Sequence, residues 1–353
     1  MTAREVEPTF QVVIPTYNAS RWLREALASV SGHAGGEILV VDDGSTQTEL
    51  ARAREICSAF PDVRFFSRSH AGIASTLNFA IAQTTAPYIA RMDADDISLP
   101  GRFDGQIAML AADPRLAVVG GQLISLGEDG TVGTVSTHYP TEAQEIAKCL
   151  ARAKNPFIHP SVMMRREAVL EVGGYRTAAE PAEDYDLWLR LGDRWRFANL
   201  AVPVIHYRRH PGQITGPANW RQKAAHDLCT LAAERRGAGR TDPIAAMATN
   251  LATMPADGIG DADVDSLVAA HRVLASANGL EPGTALLDWM IRAPRRRLLG
   301  QSSRARAAAM ARVARLARAG SHSRHVLRAY LAGLTLHPAA FLRSLRPEAA
   351  KNP

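Results

Sequence analysis

"FQVVIPTYNASRWLREALASVSGHAGGEILVVDDGS", residues 10–45, reads as a strand, a helix and a second strand. Its ends, "FQVVIP" (10–15) and "EILVVD" (37–42), are short apolar runs rich in β-branched residues, the pattern of strands buried on both faces. Between them Trp22, Leu23, Ala26, Leu27 and Val30 fall on one helical stripe, with Ser20 placed to cap it. The rhythm repeats. "VRFF" (63–66) and "PYIARM" (87–92) read as further strands, with helices over 47–60 and 72–84. Strands about 25 residues apart with a helix in each gap make βαβ units, so the first 120 residues predict an α/β fold, a Rossmann-like, mostly parallel sheet flanked by helices on both faces.

Such sheets bind ligands beyond the carboxyl ends of their strands. The residues there are Thr16-Tyr17-Asn18 after the first strand, Asp42-Asp43-Gly44-Ser45 after the second and Asp93-Ala94-Asp95-Asp96 after the fourth. In the third gap, "SRSHAGIAS" (67–75), Gly72 lets the backbone turn or approach a ligand closely. In "MDADDISLP" (92–100) three aspartates crowd into four positions. A folded chain keeps such a cluster for solubility or to hold a cation. Its place at the ligand-binding edge, enclosed by Ile97, Leu99 and Pro100, favours the cation. Magnesium or manganese is held by one or two carboxylates with substrate phosphates completing the shell, and the D-x-D pair Asp93 and Asp95 suits that requirement.

Beyond residue 120 the rhythm changes. Residues 121–135 read as a hairpin turning at Asp129-Gly130, and Thr141 to Leu150 as a helix opened by a Thr141/Gln144 capping box. "IHPSVMMR" (158–165) reads as a strand, and 166–175 as a helix stopped by Gly173-Gly174. A helix over 183–192 precedes extended "WRFANL" and "PVIHYRRH", and residues 211–290 read as Ala-rich and helical.

In the helix over 183–192, Asp184, Leu187, Trp188 and Leu191 share a face, leaving Glu183, Asp186 and Arg190 to face elsewhere. Asp184 either caps its helix, where the dipole favours the ionised form, or serves as a partly desolvated general base. The pattern leaves both open. "VIHYRRHPGQIT" (204–215) puts His206, Arg208 and His210 on one side of a strand, a basic row that suits a departing phosphate or a solvated sheet edge.

Eight segments occur in an order that resembles bacterial family 2 glycosyltransferases: "VVIPTYNASRWLREALASV", "ILVVDDGST", "GIASTLNFAI", "YIARMDADDISLPGRF", "NPFIHPSVMMRR", "GGYR", "EDYDLWLRL" and "YRRHPGQIT". The resemblance covers about residues 10–215. It implies a GT-A fold over 1–215, with a nucleotide-binding half (1–120) and an acceptor half (121–215); beyond the resemblance, composition reads a helical extension (216–290) and a basic tail (291–353). The implied reaction is inverting transfer of a sugar from a nucleotide-diphosphate sugar, a UDP-sugar first, to an acceptor hydroxyl in cell-surface polysaccharide or glycolipid assembly. The acceptor would be a saccharide or a lipid-linked molecule. Carried over by motif, Pro15, Thr16 and Tyr17 border the base, and Asp43, with its neighbour Asp42, meets the base or ribose beside Gly72. Asp93, Ala94 and Asp95 hold the diphosphate and a divalent cation, Mn2+ or Mg2+, with Asp96 assisting. Asp184 is the base, and His210 lies with Arg208 near the diphosphate and joins Asp93 and Asp95 at the metal. His70 stands where many relatives carry Asn.

Two enzyme alternatives share features of this pattern. A phosphohydrolase has its D-x-D after the first strand, not the fourth. A nucleotidyltransferase has a Gly-rich, Arg/Lys-bearing loop after the first strand that "IPTYNAS" lacks, and another metal-dependent nucleotide-sugar enzyme stays open beside it. Cys57, Cys149 and Cys229 are far apart without metal-ligand spacing, which points to a reducing cytosol. No apolar signal core and no membrane span are read, so a cytoplasmic location is expected. Residues 291–353 carry 14 Lys and Arg against the single acid Glu348, a charge of +13 within a net of +6, which leaves −7 for the other 290 residues. The acidic body, lacking aromatic-basic interleaving, argues against a nucleic-acid partner. In "SRARAAAMARVARLARA" (303–319) Arg304, Arg312, Arg315 and Arg318 lie opposite Met310, Val313 and Leu316, which suits either an anchor on an anionic membrane surface at the inner face of the cell membrane or a helical tail packed on its own enzyme or a partner. Removal of residues 291–353 is expected to move the protein from the membrane fraction to the soluble fraction while donor binding is kept. Identical partitioning of the truncated and full-length chains would exclude the anchor.

Overall fold

The computed structural model describes residues 9–33, 36–213 and 220–245. The chain divides into two compact units, residues 1–222 and 223–353. Among the described residues, nine strands of the first unit form one sheet. The apolar runs make β1 (Phe10–Thr16), β2 (Gly36–Asp42), β3 (Val63–Ser67) and β4 (Tyr88–Arg91), and α1 (Ser20–Ala28), α2 (Gln47–Ser58) and α3 (Ile73–Ala82) fill the gaps. β1 pairs in parallel with both β2 and β4, and β2 with β3, so the order β3–β2–β1–β4 reverses at β1. A crevice opens at such a reversal, beyond the carboxyl ends of the strands. Tyr17 follows β1 there, and Asp93 lies two residues beyond the end of β4.

Alternation sends strand side chains to both faces, which is why these strands read as continuous apolar runs. On one face Val12, Ile14, Ile38, Val40 and Ala90 cluster with Leu23 and Leu27 of α1, Ala53 and Cys57 of α2, and Phe103 and Leu110 of α4 (Arg102–Ala112). α3 packs on β1 and β2, whose other inward residues Val13, Leu39 and Val41 are also buried.

The rest of the sheet is mixed. β5 (Ile97–Ser98), β6 (Leu116–Gly127), β8 (Met163–Arg165) and β9 (Arg196–Arg209) continue it as β8–β6–β9–β5, and β7 (Val132–Ser136) hangs on β6. β8 is antiparallel to β4 and β6, whereas β9 runs parallel to β6. β5 pairs antiparallel with the end of β9, Ile97 opposite His206, which draws the loop 93–96 onto Arg208 and His210. α5 (Ala143–Ala151), α6 (Arg166–Glu171) and α7 (Glu183–Leu191) complete the unit. In the second unit α8 (Trp220–Gly237), which begins in the first, buries Ala225, Leu228, Cys229 and Ala232 at i, i+3, i+4 and i+7. The rest of the helical extension expected over 216–290, and the whole basic tail, lie outside the described residues. Among the described residues no helix is long and apolar enough to cross a membrane.

Three local expectations differ from the structure, the first two where a distant partner intervenes. Ser20 does not cap α1; it is the first helical residue, and its hydroxyl donates to Glu49 Oε2 at 2.7 Å. The Thr141 capping box does not form: α5 starts two residues later, while the Thr141 carbonyl accepts from the Asn199 N–H. The strand expected over 158–165 holds only at Met163–Arg165, since His159–Ser161 makes a 3-10 turn containing Pro160.

A buried polar side chain locks these pieces together. Gln106 of α4 has no solvent exposure, and its amide donates to the carbonyls of Val119 (2.8 Å) and Ser161 (2.7 Å). Each orphaned buried acceptor costs about 1–3 kcal/mol, so Gln106→Leu is expected to lower the unfolding free energy by about 2–4 kcal/mol. Urea titration checks it; an unchanged midpoint would show that the two carbonyls find other donors.

Candidate active site

The first corner of the site is built at the ends of β1 and β2. Asp43 is buried, and its two carboxylate oxygens accept from Ala71 N–H (3.0 Å), Gly72 N–H (3.0 Å) and the Thr76 hydroxyl (2.8 Å), with His70 Nδ1 at 2.9 Å. Asp43 therefore anchors the whole loop 70–76 through its own side chain. Gly72, at φ 89, holds the left-handed backbone that brings its N–H to that carboxylate. Asp42 is fully buried and its Oδ2 accepts from Ser45 N–H and the Ser67 hydroxyl. With Asp43 fixing the His70 ring, that ring stacks on Tyr17 at 4.6 Å between centroids and 28° between planes. Tyr17 stays half exposed, above buried Pro15 and Thr16.

The second corner follows β4. Ligand oxygens of Asp93, Asp95 and Asp96 lie within 4.8 Å of one another. Asp96 is buried; its Oδ1 accepts from the Arg208 N–H at 2.9 Å, and its Oδ2 has no hydrogen-bond partner among the described residues. Burial first, then the charges of Asp93 and Asp95, hold the Asp96 carboxyl well above the usual range; burial and Asp93 raise Asp95 in the same direction. An acid cluster with one unsatisfied oxygen and two members resisting ionisation has the character of a cation site lined by hard oxygen donors. His210 joins it, with Nε2 at 2.8 Å from Asp95 Oδ2. The Arg208 guanidinium is turned onto the Asp95 carbonyl (2.8 Å) and Glu25 (2.6 Å) of α1, so it braces the loop and the strand carrying His210. Trp22 of α1 covers the His210 ring at 4.5 Å. Ala94 is buried between the acids.

The third corner is the start of α7. Asp184 Oδ2 accepts from the Asn155 amide at 2.8 Å and Oδ1 from the Tyr185 N–H at 2.7 Å. Burial pushes the Asp184 carboxyl up, against the Asn155 hydrogen bond that favours its ionised form. Glu183, Asp186 and Arg190 are buried as well, because α7 is enclosed nearly all round. Asp186 is completely buried, forked by Arg176 and by Arg190 (2.9 Å). Glu183 is buried, and its carboxyl is raised to about 8, by burial and then by the charge of Asp184. Burial and the charge of Arg91 hold His159 well below the usual histidine range; its Nε2 lies 2.9 Å from the Tyr175 hydroxyl.

Sequence reasoning singled out the acids and missed their neighbours. Arg91, 5% exposed, pairs with Asp93 at 2.7 Å, and its Nε and Nη1 have no partner among the described residues. Its place in an apolar strand at the position alternating away from Ala90 and Met92 was the available signal. Glu180, whose carboxylate accepts from the Ala74 N–H at 2.7 Å, and Asn155 sit in loops without periodicity and left none.

Comparison with known proteins gives a consistent picture. A family model described as "Glycosyl transferase family 2" matches residues 11–173. The chain is 33% identical over 217 residues to the amylovoran biosynthesis glycosyltransferase AmsE of Erwinia amylovora, spanning 60% of this chain and 80% of AmsE. It is 31% identical over 179 residues to the O-antigen biosynthesis glycosyltransferase WbnJ of Escherichia coli, spanning 49% and 68%. Among solved structures, S. aureus TarS residues 1–349 superposes with a TM-score of 0.55 at 15% identity, over 96% of this chain and 93% of that one. The same protein in complex with UDP-GlcNAc also gives 0.55. The likeness to TarS concerns the fold, which is of GT-A type: a mixed, mostly parallel sheet flanked by helices.

The buried Glu183 has a thermodynamic signature. Its folded carboxyl, near 8, binds a proton more tightly than the ordinary value of 4.5, so the folded state carries the extra proton between those values. Stability from this group is complete below the lower value and is lost as pH rises through the upper one. Glu183→Gln cannot ionise, and its thermal midpoint relative to the parent is expected to climb from pH 5 to pH 9. A difference that stays flat over that range would exclude a neutral buried Glu183.

Proposed function

The chain belongs to glycosyltransferase family 2, and on that premise we propose that it moves a sugar from a nucleoside-diphosphate donor to an acceptor hydroxyl with inversion at the anomeric carbon. The observation that carries this reading is the triad Asp93, Asp95 and Asp96, under-compensated acids gathered at the switch point of the sheet. Their oxygens suit Mn2+ or Mg2+. Asp95, Asp93 and His210 would hold the ion, with Asp96 behind them. When bound, it supplies neutralisation of the charge on the departing diphosphate.

The remaining steps belong to the chain itself. Tyr17, backed by His70, offers a ring face to the nucleobase beside Pro15 and Thr16. Asp42, Asp43 and Gly72 shape the loop that borders it, and Ala94 keeps the space between the acids narrow. Arg208 braces the Asp95 loop. Asp184 takes the proton of the acceptor hydroxyl as that oxygen bonds to the anomeric carbon. The bond from that carbon to the diphosphate oxygen breaks on the opposite side, its electron pair leaving with the nucleotide, so one displacement inverts the centre. A UDP-sugar heads the donor screen because a protein of this fold is solved with UDP-GlcNAc. The names of AmsE and WbnJ, from amylovoran and O-antigen biosynthesis, support a role in cell-surface polysaccharide or glycolipid assembly; on this reading the acceptor is a saccharide or a lipid-linked molecule.

Incubation with UDP-, dTDP- and GDP-sugars plus manganese, following nucleotide release, tests this reading. Asp95→Ala is expected to weaken donor binding and abolish release. Asp184→Asn should lower it about 10²–10⁴-fold, the contribution of a general base, while donor binding stays within about twofold. Full turnover in the Asp184→Asn protein would remove the base, and release insensitive to both Asp95→Ala and chelation would remove the cation.

A further inference from the structure

We infer that Asn155 is a positioning residue for the general base: its amide holds the Asp184 carboxylate in the orientation that receives the acceptor's proton. The inference rests on the reading of Asp184 as that base. Asn155 Nδ2 donates to Asp184 Oδ2 at 2.8 Å, while the Phe157 N–H donates to Asn155 Oδ1 at 3.1 Å. The second bond settles which end of the amide faces the acid. A backbone N–H only donates, so the oxygen must face Phe157; the flipped amide would set two donors together at one end and two acceptors at the other. With the Tyr185 N–H on Oδ1 at 2.7 Å, each Asp184 oxygen has one fixed donor and keeps a lone pair for an incoming hydroxyl.

The loop is rigid enough to do this. Ala153, two residues past the end of α5, lies in the left-handed region at φ 55, and Pro156 confines the residue before it to an extended backbone. The Pro156 carbonyl accepts from the Asn199 amide at 3.1 Å. The Phe157 ring packs edge-on against Trp188 (5.3 Å) and Phe197 (5.7 Å). Trp188 is fully buried and lies one turn along α7 from Asp184, so the contact that fixes the base's helix also fixes the amide's loop.

The choice of partner has chemical meaning. Asp184 is held by a neutral amide, whereas Asp186 on the same helix is held by Arg176 and Arg190. The charged and titratable groups that share the environment of Asp184 are Arg91, Glu183 and Tyr175, with His159 beside Glu183. Burial already raises Asp184, and loss of the Asn155 donor raises it further.

Two substitutions in the full-length chain test the idea. Asn155→Leu matches the side chain in size without a donor, and Asn155→Asp keeps the shape but sets a second acid beside the base. Manganese-dependent nucleotide release from the nucleotide-sugar that the parent turns over fastest is followed from pH 5.5 to 9. For Asn155→Leu, kcat is expected to fall about tenfold to a hundredfold, part of a full general-base contribution, with the donor KM within about twofold. The acid limb of the profile should move up by about one pH unit, and further in Asn155→Asp. Should Asn155→Leu fail to fold, the isosteric Asn155→Asp decides by the same limb. Asp184→Asn separates the two readings. Turnover kept in Asp184→Asn defeats the base itself. Turnover lost there, with parental kcat and acid limb in the Asn155 variants, overturns the positioning role alone. A loss of kcat matched by a loss of donor affinity, with the acid limb in place, overturns it as a packing defect.

Discussion

Like charges held out of water repel, and two carboxylates 4 Å apart at an effective dielectric near 20 oppose each other by about 4 kcal/mol. The open end of this sheet gathers Asp93, Asp95 and Asp96 within 4.8 Å, and the neighbouring architecture is arranged around that repulsion. Relief comes from separate elements: Arg91 of β4 on Asp93, His210 beyond β9 on Asp95, and the Arg208 N–H on Asp96. None of these donors is close in sequence to its acid except Arg91. The repulsion is therefore also a reason for β9 to end where it does, with β5 paired against it to carry the acids to its tip.

The two sides of the site handle acidity differently. Around the triad compensation is incomplete, since Asp96 Oδ2 is left without a partner among the described residues, and burial and neighbouring acids raise the carboxyls of both Asp95 and Asp96. That arrangement has room for added positive charge. At α7 the acids are resolved one by one. Asp186 takes two arginines and is structural, Glu183 stays neutral, and Asp184 receives only uncharged donors. A proton acceptor needs the last of these environments, because a bound cation would depress its basicity.

Much of the fold was legible because its signals are local. The alternation of apolar runs and helical stripes over residues 10–92 marks β1 to β4 and α1 to α3, and the ends of those strands named the acids. What escaped is non-local. Ser20 looked like a cap until Glu49 of α2 claimed its hydroxyl, and Thr141 until Asn199 bound its carbonyl. Two apparent segments, "WRFANL" and "PVIHYRRH", are one strand of 14 residues, held together by a parallel pairing with β6 that no spacing announces. The helical face drawn for Asp184 gave no sign that Glu183, Asp186 and Arg190 are buried too; the enclosure of α7 is set by distant segments. Asn155 meets Asp184 across 29 residues, and only tertiary packing brings them together.

The start of α3 carries a final consequence. In many mononucleotide folds the amide groups at such a helix end receive the phosphates. Here the Ala71 and Gly72 amides are bonded to Asp43 and the Ala74 amide to Glu180, so anionic side chains of the protein already occupy the berth. On the proposed reading, pyrophosphate has no cradle of main-chain dipoles at this helix and must dock on the far side of β1. On that reading the molecule would have exchanged an anion hole made of backbone for one completed by a mobile ion, and its hold on the leaving nucleotide would be adjustable by whatever sets that ion's supply.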